Sequence, residues 1–316
     1  MKTRAVTEGA MAASISVILS LLNYVFGFFG LLIPVPLALI VYRHNLKTAI
    51  AVSLASAIIS SLVLMSHLIG LDIMIVGITG IALGLGLKEG FSHTRLVIIG
   101  VGAAIIAVLL RITTLALITD YDFVAEFLSL WENLSQQYLT IWESTGMPQD
   151  LLDKYADLLA KLPDLFKKII PITILIYGLI DTLICLFFLR VLLKRFGVPV
   201  PPATPFIQWK LPWYFVWGYI ISKAASILLM YYRNDFLQII ALNLDLFFSA
   251  AFCVQGLAIL WSYLVHAGVR KSLCVILSVF LLLTGNIIIL NILTILGILD
   301  IWFDVRKLNK EDKEEK

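Results

Sequence analysis

A chain of 316 residues that is 60% hydrophobic and 14% charged lies far from a soluble domain, which has about 45–50% apolar and about 25% charged residues. It reads as an all-α, polytopic membrane protein of about 8–10 hydrophobic segments, with the lipid bilayer as its first partner. A net charge of +3 gives no reason to expect nucleic acid.

Lys2 and Arg4 precede the first apolar run, but Gly9-Ala10-Met11-Ala12-Ala13 stand before that run and not after it. The first span is therefore expected to be retained and not cleaved as a signal peptide. It extends from about Gly9 to Leu32, with small residues four apart at Gly9 and Ala13, at Ala10 and Ser14, and at Ala12, Ser16 and Ser20. Such a face admits a second helix closely. Gly27, Gly30, Pro34 and Pro36 break the next segment, so residues 31–42 form either a short broken helix or half of a bent hairpin. Thr48–His67 is a full span. Ile73–Leu87 is short and glycine-rich, with Gly80 and Gly84 as a G-x-x-x-G, and Leu96–Ile118 is a span containing Arg111.

The composition changes at Thr119–Lys168, which holds nine acidic and four basic residues. Phe127, Leu130, Trp131, Leu134, Tyr138, Ile141 and Trp142 recur at helical spacing, as do Leu151, Leu152, Tyr155, Leu158, Leu159 and Leu162. With Gly146-Met147-Pro148 between them, these predict an amphipathic helical hairpin at the membrane surface, its second helix interrupted by Pro163.

Ile169–Leu189 spans again, with Asp181 near its centre, and a proline-rich connector comes after it. Leu211–Tyr263 reads as two antiparallel spans joined at Tyr232-Arg233-Asn234-Asp235. Lys223 lies eleven residues before Asn234 and Asp245 eleven after it. Each is then about 16 Å along its helix from the turn, close to the middle of a hydrocarbon core about 30 Å thick. The run Ser272–Phe303 is one long helix or, given Gly285-Asn286, a bent pair, and Lys310–Lys316 is a solvated charge run. The expected organisation is 1–118 and 169–303 as membrane helices, 119–168 as the external hairpin and 304–316 as a charged tail.

Positive residues set the orientation. The loops at 1–8, 43–47, 88–95, 190–210, 266–271 and 304–316 hold 17 of the 24 Lys and Arg residues, so both termini are expected in the cytoplasm.

Intramembrane charges are costly and are functional candidates by default. Lys223, Asp245, Asp181 and Arg111, with Asn243 and Gln255, form the candidate substrate-binding set; a structural network that only locks helices together accounts for the same residues. Cys185, Cys253 and Cys274 lie inside apolar runs without C-x-x-C spacing, and His44, His67, His93 and His266 sit at span ends. No G-x-x-x-x-G-K-[ST], H-E-x-x-H or G-x-S-x-G is present, so neither a cofactor nor catalysis is expected, and any transport would be energised from outside the chain.

The stretches TEGAMAA, LIPVPLALIVYRHN, KRFGVPVPP with WKLPWYFVW, VQGLAIL and LGILDIWFDVRKL resemble the YybS-like family of bacterial membrane proteins, found mainly in Firmicutes, over nearly the whole chain. Asp300, Asp304, Arg306, Lys307 and the Gln255-Gly256 pair are the most specific parts of that resemblance. The N-terminal half is more distantly similar to the S-components of energy-coupling-factor transporters. That likeness implies a membrane coupling subunit with ATPases as partner, contacted through Gly9 and Ala13, although Gly9 stands where that motif has Ala. The cell-shape protein MreD has a related membrane fold and implies a different role, a non-transporting scaffold among cell-envelope proteins. The sequence thus supports a transporter-like binder of a small solute or lipid, with the envelope scaffold as the rival.

Overall fold

The structure, a computed structural model, describes residues 2–119, 122–198, 202, 204–229 and 234–306. Tyr232, Arg233, Lys307 and the charge run 310–316 lie outside the described residues. The chain forms two compact units, Met1–Pro202 and Ala203–Lys316. Among the described residues six helices are long and apolar enough to cross a membrane, and four shorter apolar helices accompany them. The chain is a polytopic helical bundle.

The first unit begins with α1 (Lys2–Phe26). Gly27 then turns the chain at φ +78°, a left-handed conformation that costs glycine little. Asn23 Oδ1 accepts a hydrogen bond from Gly30 N at 2.7 Å, and a 3-10 turn over Phe29–Leu32 leads into α2 (Pro34–Arg43), with proline in its first turn. At ten residues α2 is about 15 Å long, half a bilayer core. Its ends would be intolerable in lipid, where every backbone polar group must be satisfied. The fold solves this by enclosure. Leu37, Ala38 and Val41 are fully buried, between an α1–α3 cluster (Ala12, Ala13, Ala49, Val52) and a second one formed by Leu83, Leu87, Leu96, Leu186 and Leu189. Residues 31–42 are thus the short broken helix, returning along α1 until Arg43 meets Glu8.

Next come three helices: α3 (Leu46–Val63), α4 (His67–Lys88) and α5 (His93–Thr119). Asn45 caps α3 by accepting from Thr48 N at 2.9 Å. The glycines of α4 make room for α2: a Cβ at Gly80 would enter the Pro34 carbonyl, and one at Gly84 would come within 2.5 Å of the Ala38 carbonyl. Small residues here bring backbones into van der Waals contact, which is how helices associate when lipid removes the hydrophobic drive. α4 starts six residues earlier than the expected Ile73, so Asp72, which the sequence left in a loop, lies inside a membrane helix.

The amphipathic hairpin consists of α6 (Phe123–Ser144) and the start of α7 (Gln149–Arg195). Asp122 caps α6, accepting from Val124 N and Ala125 N. The expected interruption of the second helix at Pro163 does not occur. Instead α7 runs unbroken for 47 residues, about 70 Å, through Pro163 and Pro171. A proline removes the hydrogen bond to the carbonyl four residues before it. For Pro163 that carbonyl is Leu159, and Trp131 Nε1 of α6 donates to it at 3.0 Å. The partner helix thus supplies the missing donor. Trp131 and Phe127 also meet Phe166 edge-on, and Trp142 lies 5.0 Å from Tyr155. The adjoining flank of the same apolar stripe leaves Leu130, Leu134, Tyr138 and Ile141 exposed.

In the second unit a 3-10 turn, Phe206–Gln208, precedes α8 (Phe215–Leu228) and α9 (Asp235–His266). The long apolar run is the bent pair, α10 (Lys271–Leu283) and α11 (Ile287–Phe303). Gly285 turns at φ +57°, and Asn286 caps α11 by accepting from Ile288 N at 3.0 Å. α9 and α11 cross at two glycines. A Cβ at Gly256 would strike the Leu293 carbonyl, and one at Gly297 the Phe252 carbonyl. Around that crossing Cys253, Leu257 and Leu293 form the core.

Candidate functional site

Two ends of the first unit can be told apart by their charges. At one end Glu8 gathers Arg43 Nη2 at 3.0 Å, His44 Nε2 at 2.9 Å and Arg4 Nε at 2.9 Å. Lys88 Nζ donates to the His44 carbonyl at 2.6 Å, and the Arg43 guanidinium stacks over the Phe196 ring at 4.7 Å. Arg190 Nη2 lies 2.7 Å from His93 Nδ1. These contacts tie together the start of α1, the end of α2, the end of α4, the start of α5 and the end of α7.

The other end carries a cavity of about 210 Å³, lined by Ser20, Asn23 and Tyr24 of α1, Asp72 of α4, and Arg111 and Thr114 of α5, among others. Arg111 Nε lies 2.9 Å from Asp72 Oδ1. That oxygen makes no hydrogen bond, so the two charges are close without being aligned, and both keep bonding capacity in reserve. A second hollow of about 330 Å³, between α1, α2 and α7, is apolar except for Glu8 and Arg43 at its end. A polar solute would find few partners there.

Deeper in the first unit a small cavity of about 10 Å³ is lined by Thr79, Arg111, Tyr177 and Asp181 together with apolar side chains. Asp181 is 2% exposed, and its Oδ1 has no hydrogen-bond partner. Of the residues singled out from sequence, Arg111 and Asp181 therefore line one hollow. Asp72, which the sequence reading passed over, completes the group.

The remaining candidates lie in the second unit. Lys223 Nζ donates to Asp245 Oδ2 at 2.9 Å, and the ammonium lies 5.8 Å from the centre of the Tyr219 ring. The Lys223 side chain is 45% exposed, so the pair lies at a surface rather than in an enclosed site. Asn243 Nδ2 donates to the Ile239 carbonyl of its own helix at 2.7 Å. Gln255 is buried and bonded at both ends of its amide: Nε2 donates to Asp300 Oδ2 at 3.1 Å, and Oε1 accepts from Leu211 N at 3.0 Å. Arg306 reaches the same carboxylate at 2.6 Å and donates to the carbonyls of Ile207 and Trp209 at 2.6 and 2.7 Å. Lys210 Nζ meets Asp304 Oδ1 at 3.1 Å. This clamp fastens the stretch before α8 to α9 and to the end of α11.

Gly9 and Ala13 are buried within the first unit. A Cβ on Gly9 would lie 3.1 Å from Val52 Cγ2, and the Ser56 hydroxyl reaches the Ala13 carbonyl at 3.4 Å. α3 already covers this face of α1, and a partner using it would have to displace α3.

The stretches that carried the sequence resemblance meet in these two clamps: TEGAMAA and YRHN through Glu8, and WKLPW, VQG and LDIWFDVR through Asp300. Compared with known proteins, the chain is 27% identical over 320 residues to the "Uncharacterized protein YybS" of Bacillus subtilis (strain 168), covering 96% of this chain and 98% of that protein. No solved structure gave a significant match. Residues 11–301 match the family described as "Predicted membrane protein (DUF2232)", and the chain belongs to that family.

Proposed function

We propose that the chain is a transporter-like membrane protein that binds a small polar solute in the cavity between α1, α4 and α5. The observation that carries this reading is the misaligned Arg111–Asp72 pair facing Asn23, Ser20 and Thr114 across open space. Intramembrane charges that sit close but out of hydrogen-bond alignment beside a cavity suit a solute with complementary charges better than a purely structural lock. Arg111 would take a carboxylate or phosphate, Asp72 an amine, and the neutral groups hydroxyl or amide functions. A volume of about 210 Å³ falls below the range of about 300–1,000 Å³ typical of drug-sized ligands, which points to a small molecule. With no nucleotide motif in the chain, energy would come from a separate partner, such as a membrane coupling subunit with ATPases.

The cavity lies at the end of the first unit away from Arg43, Lys88 and Arg190. With positive residues inside, it faces the exterior, both termini are cytoplasmic and residues 119–168 are external. One observation favours the rival, a cell-envelope scaffold: the exposed apolar stripe Leu130, Leu134, Tyr138 and Ile141 on the acidic hairpin.

Native mass spectrometry of the purified chain, paired with a melting screen against polar metabolites, separates the two. We expect wild type to retain or be stabilised by a small polar molecule, and Arg111→Gln/Asp72→Asn to fold but lose it. A wild-type protein that retains nothing and is stabilised by no solute refutes the binding reading and leaves the scaffold.

A further inference from the structure

We propose that Asp181 is a proton-binding site, coupled through Arg111 to the outer cavity. The inference stands whether or not that cavity takes a solute.

The first unit brings together three charges, Asp72, Arg111 and Asp181, on three different helices. With both carboxylates ionised the group is net negative, and the one guanidinium is already beside Asp72. Asp181 has Oδ1 unbonded and is 2% exposed. A carboxylate taken out of water to this degree with one oxygen left bare is driven toward its neutral form. The groups that face it make the choice of cation. From α4 comes the Thr79 hydroxyl, within hydrogen-bonding reach of the carboxyl; from α5 Arg111 shares the cavity wall; on α7 the neighbours are Tyr177 and Cys185. On α2 the titratable Tyr42 packs with the cluster that includes Leu189 and Leu193, about two turns farther along α7. A hard metal cation would need several oxygen ligands. Here the wall supplies one carboxylate and the hydroxyls of Thr79 and Tyr177, with the cationic Arg111 on the same cavity. A proton needs only the carboxylate, and the protonated acid can donate to the hydroxyl. The cavity of about 10 Å³ is at the lower limit for one water, and a water entering it would give a proton leaving Asp181 a carrier toward the outer cavity.

Arg111 lines both hollows. When Asp181 holds its proton, Arg111 belongs to Asp72. When the proton leaves for the outer cavity, the new carboxylate on the cavity wall shared with Arg111 draws that guanidinium away from Asp72. Proton occupancy and the state of the outer cavity are then two readings of one guanidinium position.

Infrared difference spectroscopy of the full-length protein in lipid tests this without any solute. Wild type at neutral pH should show a protonated-carboxyl stretch that shifts in deuterium oxide. Asp181→Asn should lose it, and Asp181→Glu should keep it at a displaced frequency. Asp72→Asn should weaken it at the same pH, because Arg111 is freed to pair with Asp181. The Glu variant and wild type carry the test if the Asn variant does not fold. A spectrum unchanged in both Asp181 variants overturns the proposal. So does loss of the wild-type band when sodium replaces choline at fixed pH, which would make the site a sodium site.

Discussion

The Arg306 clamp offers the sharpest test of how the second unit is held together. Arg306 and Asp300 have side chains 1% and 0% exposed, and their closest approach is 2.6 Å. Arg306→Met would strand the Asp300 carboxylate with only the Gln255 amide on Oδ2 and nothing on Oδ1. Breaking a buried pair in this way costs about 3–5 kcal/mol, and each carbonyl left bare, Ile207 and Trp209, adds about 1–3 kcal/mol if water cannot reach it. Against a domain stability of about 5–15 kcal/mol this is a large share. The lost contacts all bear on the stretch before α8, so opening there should be felt first. Tryptic cleavage after Lys210 reports it, since cutting follows the population of the open form when closing is fast. We expect Arg306→Met to be cut at least about a hundredfold faster than wild type, from the lower bound of the pair's cost. Arg306→Lys should fall between, because an ammonium cannot span the carboxylate and both carbonyls. The double change Asp300→Leu/Arg306→Met should recover the charge penalty but not the carbonyl penalty. Wild-type cleavage and melting in Arg306→Met would refute the reasoning.

Lys223→Met and Asp245→Leu should each lower the folded yield, and the double change should restore most of it while leaving solute retention intact; a double variant that folds but loses its solute would return this pair to the binding site. For orientation, cysteines placed at Ser144 and at Ser92 should label from opposite sides of intact cells, against a quiet background because Cys185, Cys253 and Cys274 are buried; labelling of both from outside would overturn the topology.

The class of fold was legible because lipid leaves a chain so few choices. Apolar runs had to be helices, and Gly285-Asn286 marked a break that the structure uses. Pro163 misled because the case against proline in a helix counts a lost hydrogen bond, and the Trp131 indole that replaces it comes from another helix, 28 residues from Leu159. No local pattern records that rescue. The resemblance was also legible, yet of its most specific residues Gln255, Asp300, Asp304 and Arg306 serve to lock helix ends in the Asp300 clamp. Those motifs hold this chain together, and they are silent on what it binds.

Asp72 is the instructive omission. The depth arithmetic applied to Lys223 and Asp245 works equally well on α4 and α5, which also form an antiparallel pair about a short turn. Asp72 stands 16 residues before Lys88, and Arg111 stands 18 after His93. At about 1.5 Å per residue they lie about 24 and 27 Å from the turn, which is one depth within a helical turn. A span that starts at Ile73 leaves Asp72 in a loop, and a charge outside a span carries no cost that demands a partner. Once α4 begins at His67, the same cost argument that singled out Lys223 applies to Asp72, and Arg111 becomes its counterpart by depth alone. What no such arithmetic can supply is the cavity beside the pair. Depth matching finds which charges meet; whether space is left for a third group depends on side chains from α1, Ser20, Asn23 and Tyr24, which only packing in three dimensions brings there.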